Sequence, residues 1–520
     1  MSVTYGLHRA LLLNRSGTAT IFEGRRRSWT EVGDRVARLA GALKTLGVEP
    51  GDRIAVLMMN QDRYLELYFA VAWAGAVIVP LNIRWSTAEN ADAISDCRPK
   101  VLVVDAAFAK MGVELAQGLE TLKLVYADDA TVELPPGTLN YEDLIAGAEP
   151  VADAEADETA LAGIFYTGGT TGRSKGVMLS HRNLLANARN MKAEGLATAE
   201  GTYLHVAPMF HLANAGAMYL HFFAGSSHAV VRSFSPEGVA HAIAETGATD
   251  MLLVPTMIQM FVDHPGIGSY DLSSLRQILY GASVMNEAVL NRAMEKLPST
   301  QFAQAYGMTE LSPCASILPW KDHIGEGRAK GRHRSGGRPT FMVDVRIVDE
   351  EDRPVPRGTV GQIVARGEIV MMGYWERPEE TEKALAGGWM HTGDSGYMDE
   401  DGYIYVVDRI KDMIISGGEN IYSAEVENCI AQHPAVAQCA VIGIPSAQWG
   451  ETVHAVVMRR PGAAVTEDEI IDFCRARIAH YKCPRSVAIQ DEPLPLSGAG
   501  KILKRELRAP YWEGRARGVS

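Results

Sequence analysis

Between residues 30 and 104 the apolar side chains switch repeatedly from helical to extended spacing, and this alternation constrains the fold more than any other feature of the chain. Val32, Val36, Leu39, Leu43 and Leu46 recur on one helical face, Gly47 stops the helix, and the apolar run 54–58 reads as a buried strand. A second helix is expected around 64–74, with strands at 76–79 and 101–104. Helices between strands cover a mostly parallel sheet, so the predicted class is α/β. An acidic, Ala-rich stretch at 149–159 reads as a connector to further α/β segments that run to Pro339. Beyond it, 343–349 and 360–365 alternate like strands joined by the Gly/Pro-rich turn 353–358, which predicts a small β-rich subdomain.

From 409 onward the pattern becomes that of a separate small α+β unit. It has strands at 437–442 and 454–458 and a helix from Glu467, opened by the capping pair Thr466 and Glu469 and carrying Ile470, Phe473, Cys474 and Ile478 on its apolar face. The predicted division is a large N-terminal domain of packed sheets, residues 1–408, and a small mobile C-terminal domain, residues 409–520. A chain of 520 residues has ample length for two such cores.

Charge and cysteine usage narrow the function. With 50 Lys+Arg against 63 Asp+Glu the net charge is −13, which argues against a sequence-blind nucleic-acid binder. Six scattered cysteines form no CxxC pair, so neither a disulfide framework nor a zinc site is suggested. The N-terminus lacks a signal-peptide pattern, and the longest uncharged run, 67–83, falls short of the about 20 apolar residues that span a bilayer. A cytoplasmic protein is expected, with peripheral membrane contact left open. The basic run Arg328, Lys330, Arg332, Arg334 and Arg338 reads by default as a solvated loop.

The strongest local signal is Tyr166-Thr167-Gly168-Gly169-Thr170-Thr171-Gly172-Arg173-Ser174-Lys175-Gly176, after the apolar pair Ile164-Phe165. Glycines let backbone N–H groups converge on anionic oxygens, threonines add hydroxyl donors, and Lys175 adds charge. The order of residues is not that of a Walker A loop. More motifs follow: Ala207-Pro208-Met209-Phe210-His211, Tyr280-Gly281-Ala282-Ser283, Tyr306-Gly307-Met308-Thr309-Glu310, His391-Thr392-Gly393-Asp394, Asp408-Arg409-Ile410-Lys411-Asp412, Ser416-Gly417-Gly418-Glu419-Asn420, Trp449-Gly450-Glu451 and Gly500-Lys501-Ile502. In this order they resemble the adenylate-forming superfamily of acyl-CoA synthetases, nonribosomal-peptide adenylation domains and beetle luciferases.

The resemblance implies an AMP-forming carboxylate–CoA ligase using ATP, Mg²⁺ and coenzyme A, with a carboxylic acid as substrate. It assigns the ATP phosphates to Thr167, Gly168, Gly169, Thr170, Thr171, Gly172 and Lys175, and the adenosine to Gly281, Ala282, Ser283, Tyr306, Gly307 and Met308. The ribose goes to Asp394 with Arg409, the α-phosphate to Thr309, and Mg²⁺ to Glu310. Lys501 is the expected catalytic lysine, Lys411 the hinge, and His211 a gate at the carboxylate end. Gly417 and Gly418 would approach the pantetheine arm, with Trp449, Tyr481 and Lys482 as further coenzyme contacts. Gly168, Ser174 and Ala499 stand where the family often has Ser, Pro and Ser, which predicts altered ATP affinity with activity retained.

By the same resemblance residues 210–216, including Ala213, Asn214, Ala215 and Gly216, would line the acyl pocket. No aspartate there can pair with an amino-acid ammonium, and no basic residue suits a second carboxylate. The expected acid is medium- to long-chain or bulky and hydrophobic, with an aryl or phenylpropenoic acid as the other option. An acyl-AMP ligase with a different acceptor and a non-catalytic acyl or nucleotide sensor remain alternatives, and a monomer and a homodimer are equally compatible.

Overall fold

Ser28 opens the first long helix, Trp29–Thr45: its hydroxyl accepts from the Glu31 N–H, and the Glu31 carboxylate accepts from the Ser28 N–H, satisfying donors that a helix start would otherwise leave unpaired. The computed structural model describes residues 1–167, 174–283, 285–417, 419–497 and 500–513. Val32, Val36, Leu39 and Leu43 are buried on one face of this helix, and Arg53–Leu57, Val77–Pro80 and Val101–Val104 follow as neighbouring parallel strands, as the alternation predicts.

These strands belong to an eight-stranded sheet that also takes in Leu161–Thr167 and Lys175–Ser180. A nine-stranded sheet contains the parallel series Thr18–Phe22, Ser227–Val230, Thr202–His205, Asp250–Leu253, Gln277–Gly281 and Gln301–Tyr306. One apolar core joins the facing sides of both sheets through the helices Trp29–Thr45, Asp62–Trp73, His181–Ala193 and Leu212–Ala224, and further helices cover each outer face. The large domain is therefore layered helix, sheet, helix, sheet, helix.

Asp62–Trp73 has every residue buried, including three charged ones. Each charge is neutralised by geometry. Asp62 accepts from Arg25 at 2.8 and 2.9 Å and from Arg27, Glu66 from Arg35 at 2.7 and 3.0 Å and from the Tyr141 hydroxyl at 2.9 Å. Arg63 donates to Glu142 at 2.7 Å and Asp129 at 2.5 Å. The 149–159 segment is no loose connector, for Val151 N–H donates to Ala37 and the Trp73 indole N–H to Val151 at 2.8 Å, strapping it across two core helices.

The expected β-rich subdomain is a four-stranded antiparallel sheet, Val343–Val348, Gly361–Gly367, Met390–Met398 and Ile404–Arg409, around Ile347, Ile363, Met398 and Ile404. The small C-terminal unit is a second mixed sheet in which Gly450–Arg459 pairs antiparallel with Val436–Ser446 and parallel with Ser486–Gln490. Glu467–Arg475 begins at the Thr466 and Glu469 capping box. The last described helix is Lys504–Trp512, whose Leu507 packs with Ala440, Ile442, Val456 and Leu494. Among the described residues no helix is long and apolar enough to cross a membrane.

Because Glu66 is buried against Arg35, Glu66→Ala is expected to cost about 3 kcal/mol in denaturant unfolding, whereas Arg353→Ala, at an exposed pair with Asp349, is expected to cost less than about 1 kcal/mol. Burial pushes the Glu142 carboxyl up, but Arg35 and Arg63 outweigh it and hold it at about 2 against an ordinary 4.5. The carboxylate's contribution is thus complete above pH 4.5 and lost as pH falls toward 2; unfolding midpoints over that range are expected to fall less steeply in Glu142→Gln than in the unaltered protein.

Candidate active site

Antiparallel pairing sets Asp394 opposite Arg409. Arg409 Nε lies 2.7 Å from Asp394 Oδ1 in an ion pair, and the Tyr306 hydroxyl donates to Oδ2 at 2.8 Å. Thr392 fixes the strand by accepting from the Asp394 N–H at 3.1 Å and donating to the Ile363 carbonyl at 2.7 Å. Tyr306 ends the strand Gln301–Tyr306, and the adjacent strand ends at Gly281, where a Cβ would stand 2.3 Å from the Ala305 carbonyl oxygen. A Cβ on Gly307 would lie 2.0 Å from the Pro313 carbonyl oxygen, so both positions admit only glycine. Ala282 takes φ +68° and Ser283 is exposed, while Met308 packs partly against the core.

Thr309 and Glu310 lie in the short turn Thr309–Leu311. Glu310 is 6% exposed and accepts from the Tyr374 hydroxyl at 2.9 Å, and Lys175 Nζ stands 5.0 Å from the centre of the Tyr374 ring. Burial raises the Glu310 carboxyl above its usual range, opposed by the Tyr374 bond and the charges of Arg409 and Lys175. Thr167 pairs with Lys175 across the hairpin. Gly168, Gly169, Thr170, Thr171 and Gly172 lie outside the described residues, as do Gly418 and Ala499. Among the described residues no group of three or more His, Cys, Asp or Glu could hold a metal. A divalent cation beside Glu310 would complete its shell with phosphate and water oxygens, which suits Mg²⁺.

Lys501 arrives from the other end of the chain. The Ser497 N–H donates to the Lys501 carbonyl at 2.6 Å and the Lys501 N–H to Ser497 Oγ at 3.1 Å. Two bonds tie this turn to the large domain: Arg84 to the Ser497 carbonyl at 2.7 Å and Thr256 Oγ1 to the Gly500 carbonyl at 3.4 Å. The Lys501 ammonium is pushed down to about 8 by burial and then by Arg409 and Lys411, against the pull of Asp394 and Glu310. His211 is driven down to about 4 by burial and by Lys501, so it is neutral, and its Nδ1 accepts from the Ala213 N–H at 3.3 Å as the cap of Leu212–Ala224. Lys501 is thus within electrostatic reach of Arg409, Asp394, Glu310 and His211.

The other expected site residues make the contacts that follow. Ala213 and Ala215 pack with the core, and a Cβ on Gly216 would meet Pro313 Cδ at 2.7 Å. Asn214 is buried with its amide bonded to Tyr203, His205 and the Ala207 carbonyl. Gly417, at φ +61°, lies under Trp449, with its N–H donating to the Trp449 carbonyl at 2.9 Å. Lys482 is held by both Glu425 oxygens at 2.8 Å, and Tyr481 is exposed. Burial lowers the Lys411 ammonium, and the neighbouring Asp412 accepts from Arg508 at 2.6 Å. The basic run is locally neutralised, with Arg328 and Arg334 on Glu287, Lys330 on Glu326 and Arg332 on Asp322 and Asp401. Tyr374, Arg84 and Thr256 were not expected, because their roles come from tertiary contact and no spacing rule marks them.

The sequence matches the AMP-binding enzyme family over residues 9–375 and the AMP-binding enzyme C-terminal domain over residues 425–501. It is 40% identical over 508 residues to a feruloyl-CoA synthase of Amycolatopsis sp., covering 97% of this chain and 98% of the relative. It is 34% identical over 507 residues to the medium/long-chain-fatty-acid–CoA ligase FadD8 of Mycobacterium tuberculosis, covering 94% of this chain and 86% of the relative. The crystal structure of ATP-bound MatB from Rhodopseudomonas palustris superposes with a TM-score of 0.88 at 30% identity, covering 98% of this chain and 99% of that one. The chain belongs to the AMP-binding enzyme family and is an ATP-dependent, AMP-forming acid–CoA ligase that uses Mg²⁺ and coenzyme A.

Proposed function

We propose that residues 1–408 hold ATP and the acid, and that residues 409–520 turn about Lys411 between two half-reactions. The observation that carries the reading is that Lys501, from the C-terminal unit, comes within electrostatic reach of Asp394, Arg409, Glu310 and His211. In the first step a carboxylate oxygen attacks the α-phosphorus, the bond to the β-phosphate oxygen breaks, and pyrophosphate leaves. Two anions must meet, so rate depends on preorganised positive charge and on in-line geometry. Lys501 bridges the carboxylate and the α-phosphate, Thr309 adds a hydroxyl donor there, and Lys175 with the 167–172 loop holds the outer phosphates. Asp394 keeps spare acceptor capacity beside Arg409 and Tyr306 for ribose hydroxyls. Glu310 would hold Mg²⁺, which neutralises phosphate charge when bound.

In the second step the thiol sulfur of coenzyme A bonds to the acyl carbon, gives up its proton, and AMP departs with the mixed-anhydride oxygen. Gly417 and Gly418 take the thin pantetheine arm, as the family resemblance implies, and Trp449, Tyr481 and Lys482 contact the rest of the coenzyme.

The acid we propose is a phenylpropenoic acid of the ferulate type. The full-length likeness to a feruloyl-CoA synthase supports it, and so does the absence of a charged side chain from residues 212–216. The second reading, a medium- to long-chain fatty acid, is favoured by the likeness to the mycobacterial fatty-acid ligase. Coenzyme A-dependent AMP release over ferulate, cinnamate, benzoate and C8 to C16 acids separates the two, and ferulate or cinnamate is expected to give the highest kcat/KM.

Lys501→Ala is expected to slow acyl-adenylate formation by on the order of a hundredfold or more while sparing thioester formation from preformed acyl-AMP; equal loss in both half-reactions would remove Lys501 from its assigned step. The charged lysine is present below pH 8 and lost above it. The kcat/KM of adenylation, which reports ionisations of the unliganded enzyme, is therefore expected to fall as pH rises through about 8, and Lys501→Arg is expected to displace that limb to higher pH.

A further inference from the structure

The turn that carries His211 is gripped from below by buried polar side chains that no step of the mechanism uses. Asn60 donates to the Ala207 carbonyl at 3.1 Å and accepts from the Met209 N–H at 2.8 Å, and the Tyr68 hydroxyl donates to the Met209 carbonyl at 2.7 Å. The third grip is Asn214, whose Nδ2 donates to the Ala207 carbonyl at 2.6 Å. Behind Asn214 stand two fully buried histidines on neighbouring parallel strands, His205 of Thr202–His205 and His228 of Ser227–Val230.

Their protons are fixed by elimination. A carbonyl oxygen can only accept, so the Asn214 amide nitrogen must face Ala207, and Asn214 Oδ1 must be the atom that faces His205 Nδ1 at 3.1 Å. His205 Nδ1 therefore carries a hydrogen. Burial keeps this ring neutral by pushing it down to about 3, which leaves Nε2 bare. That bare nitrogen lies 2.9 Å from His228 Nδ1, which must then be the donor. The result is a one-way chain of donors, His228 to His205 to Asn214 to the Ala207 carbonyl. It ends at the base of the Pro208 to His211 turn beside Lys501.

We propose that His205 and His228 are positioning residues for acid activation: their shared Nδ1–H tautomer orients Asn214, and Asn214 holds the turn that sets His211 against Lys501. The proposal rests on the reading of His211 and Lys501 as the acid-activating end of the site. It also moves Asn214 from the acyl wall to the support beneath it.

The test compares His205→Phe with His205→Gln. Phenylalanine keeps volume and ring contacts with Tyr203 and His228 but has no donor or acceptor. Glutamine offers an amide N–H to Asn214 and a carbonyl to His228. Single-turnover pyrophosphate release is expected to slow by on the order of ten- to a hundredfold in His205→Phe, the range that follows a small displacement of reacting groups, with the KM for ATP unchanged, and to recover in His205→Gln. Full activity in His205→Phe, or equal loss in both variants, would overturn the proposal. If His205→Phe does not fold, long-range ¹H–¹⁵N spectra of histidine-labelled unaltered protein decide, with His205→Gln for assignment. Protonated Nδ1 and bare Nε2 are expected on both rings, and an Nε2–H tautomer at His205 would overturn the chain. Lys501→Ala run alongside separates the two failures: if that variant stays active the site reading falls, and if it alone is impaired only the histidine chain falls.

Discussion

Lys501, Arg409 and Lys411 are cations gathered at one place, Lys411 exposed and the other two half-buried, and the rest of the site is organised around making that tolerable before any substrate arrives. Like charges repel, the more so where water is partly excluded. Asp394 and Glu310 supply the opposing charge, and Lys501 yields by dropping its proton affinity. A polyanion entering this region replaces unfavourable repulsion with attraction, so the arrangement favours ATP and the substrate carboxylate for the same reason that it strains the empty enzyme. The strain is affordable only because the carboxylates are themselves locked, Asp394 by Arg409 and Tyr306, Glu310 by Tyr374.

Each of those locks comes from a different layer. Tyr306 and Gly281 are strand ends of the nine-stranded sheet, Lys175 belongs to the eight-stranded sheet, Asp394 and Arg409 to the small antiparallel sheet, and Lys501 to the C-terminal unit. Sheet register therefore does the positioning. A slip of one residue between Met390–Met398 and Ile404–Arg409 would turn Asp394 or Arg409 to the opposite face. The buried charges of Asp62–Trp73 act one level deeper, since that helix sits in the core between the two large sheets and its neighbour contacts include the Tyr68 grip on Met209.

Local patterning carried much of this into the sequence. The helix Trp29–Thr45 with its apolar face, the strands at 53–57 and 101–104, and the Thr466 capping box have short-range signatures, and each appears within a residue or so of where the pattern predicts. The motif residues were legible through likeness to a family, because singly Tyr306 or Asp394 looks like any core or turn residue. What stayed hidden is contact made across long separations: Tyr374 on Glu310, Arg84 on Ser497, and the 149–159 segment strapped to the core where composition suggested a loose link. Asn214 shows the same limit from the other side. Its place in the chain pointed to the acyl pocket, while the partners its amide takes, on the strand Thr202–His205 and at Ala207, carry no signature in the residues around it.

The bonds that straddle Lys411 say what a turn of the small domain would require. Asp408 accepts from the Ser423 N–H at 2.5 Å and hydroxyl at 2.6 Å, Arg84 donates to Ser497, Thr256 to Gly500, and Gln259 to the Ala437 carbonyl at 3.4 Å. These cross from one side of position 411 to the other. By contrast Arg508 on Asp412 and Lys504 on Glu427 lie wholly on the C-terminal side and would travel together. Among the described residues these crossing bonds are few, and each is worth about 1 to 3 kcal/mol net, the larger values for the bonds that involve Asp408 and Arg84, because water replaces them. The set that travels is charged and partly buried, and it stiffens the small domain up to Asp412. Rigid pieces joined by a few such bonds are the condition for a hinge, and the bonds that travel together begin at Asp412, next to the pivot proposed above.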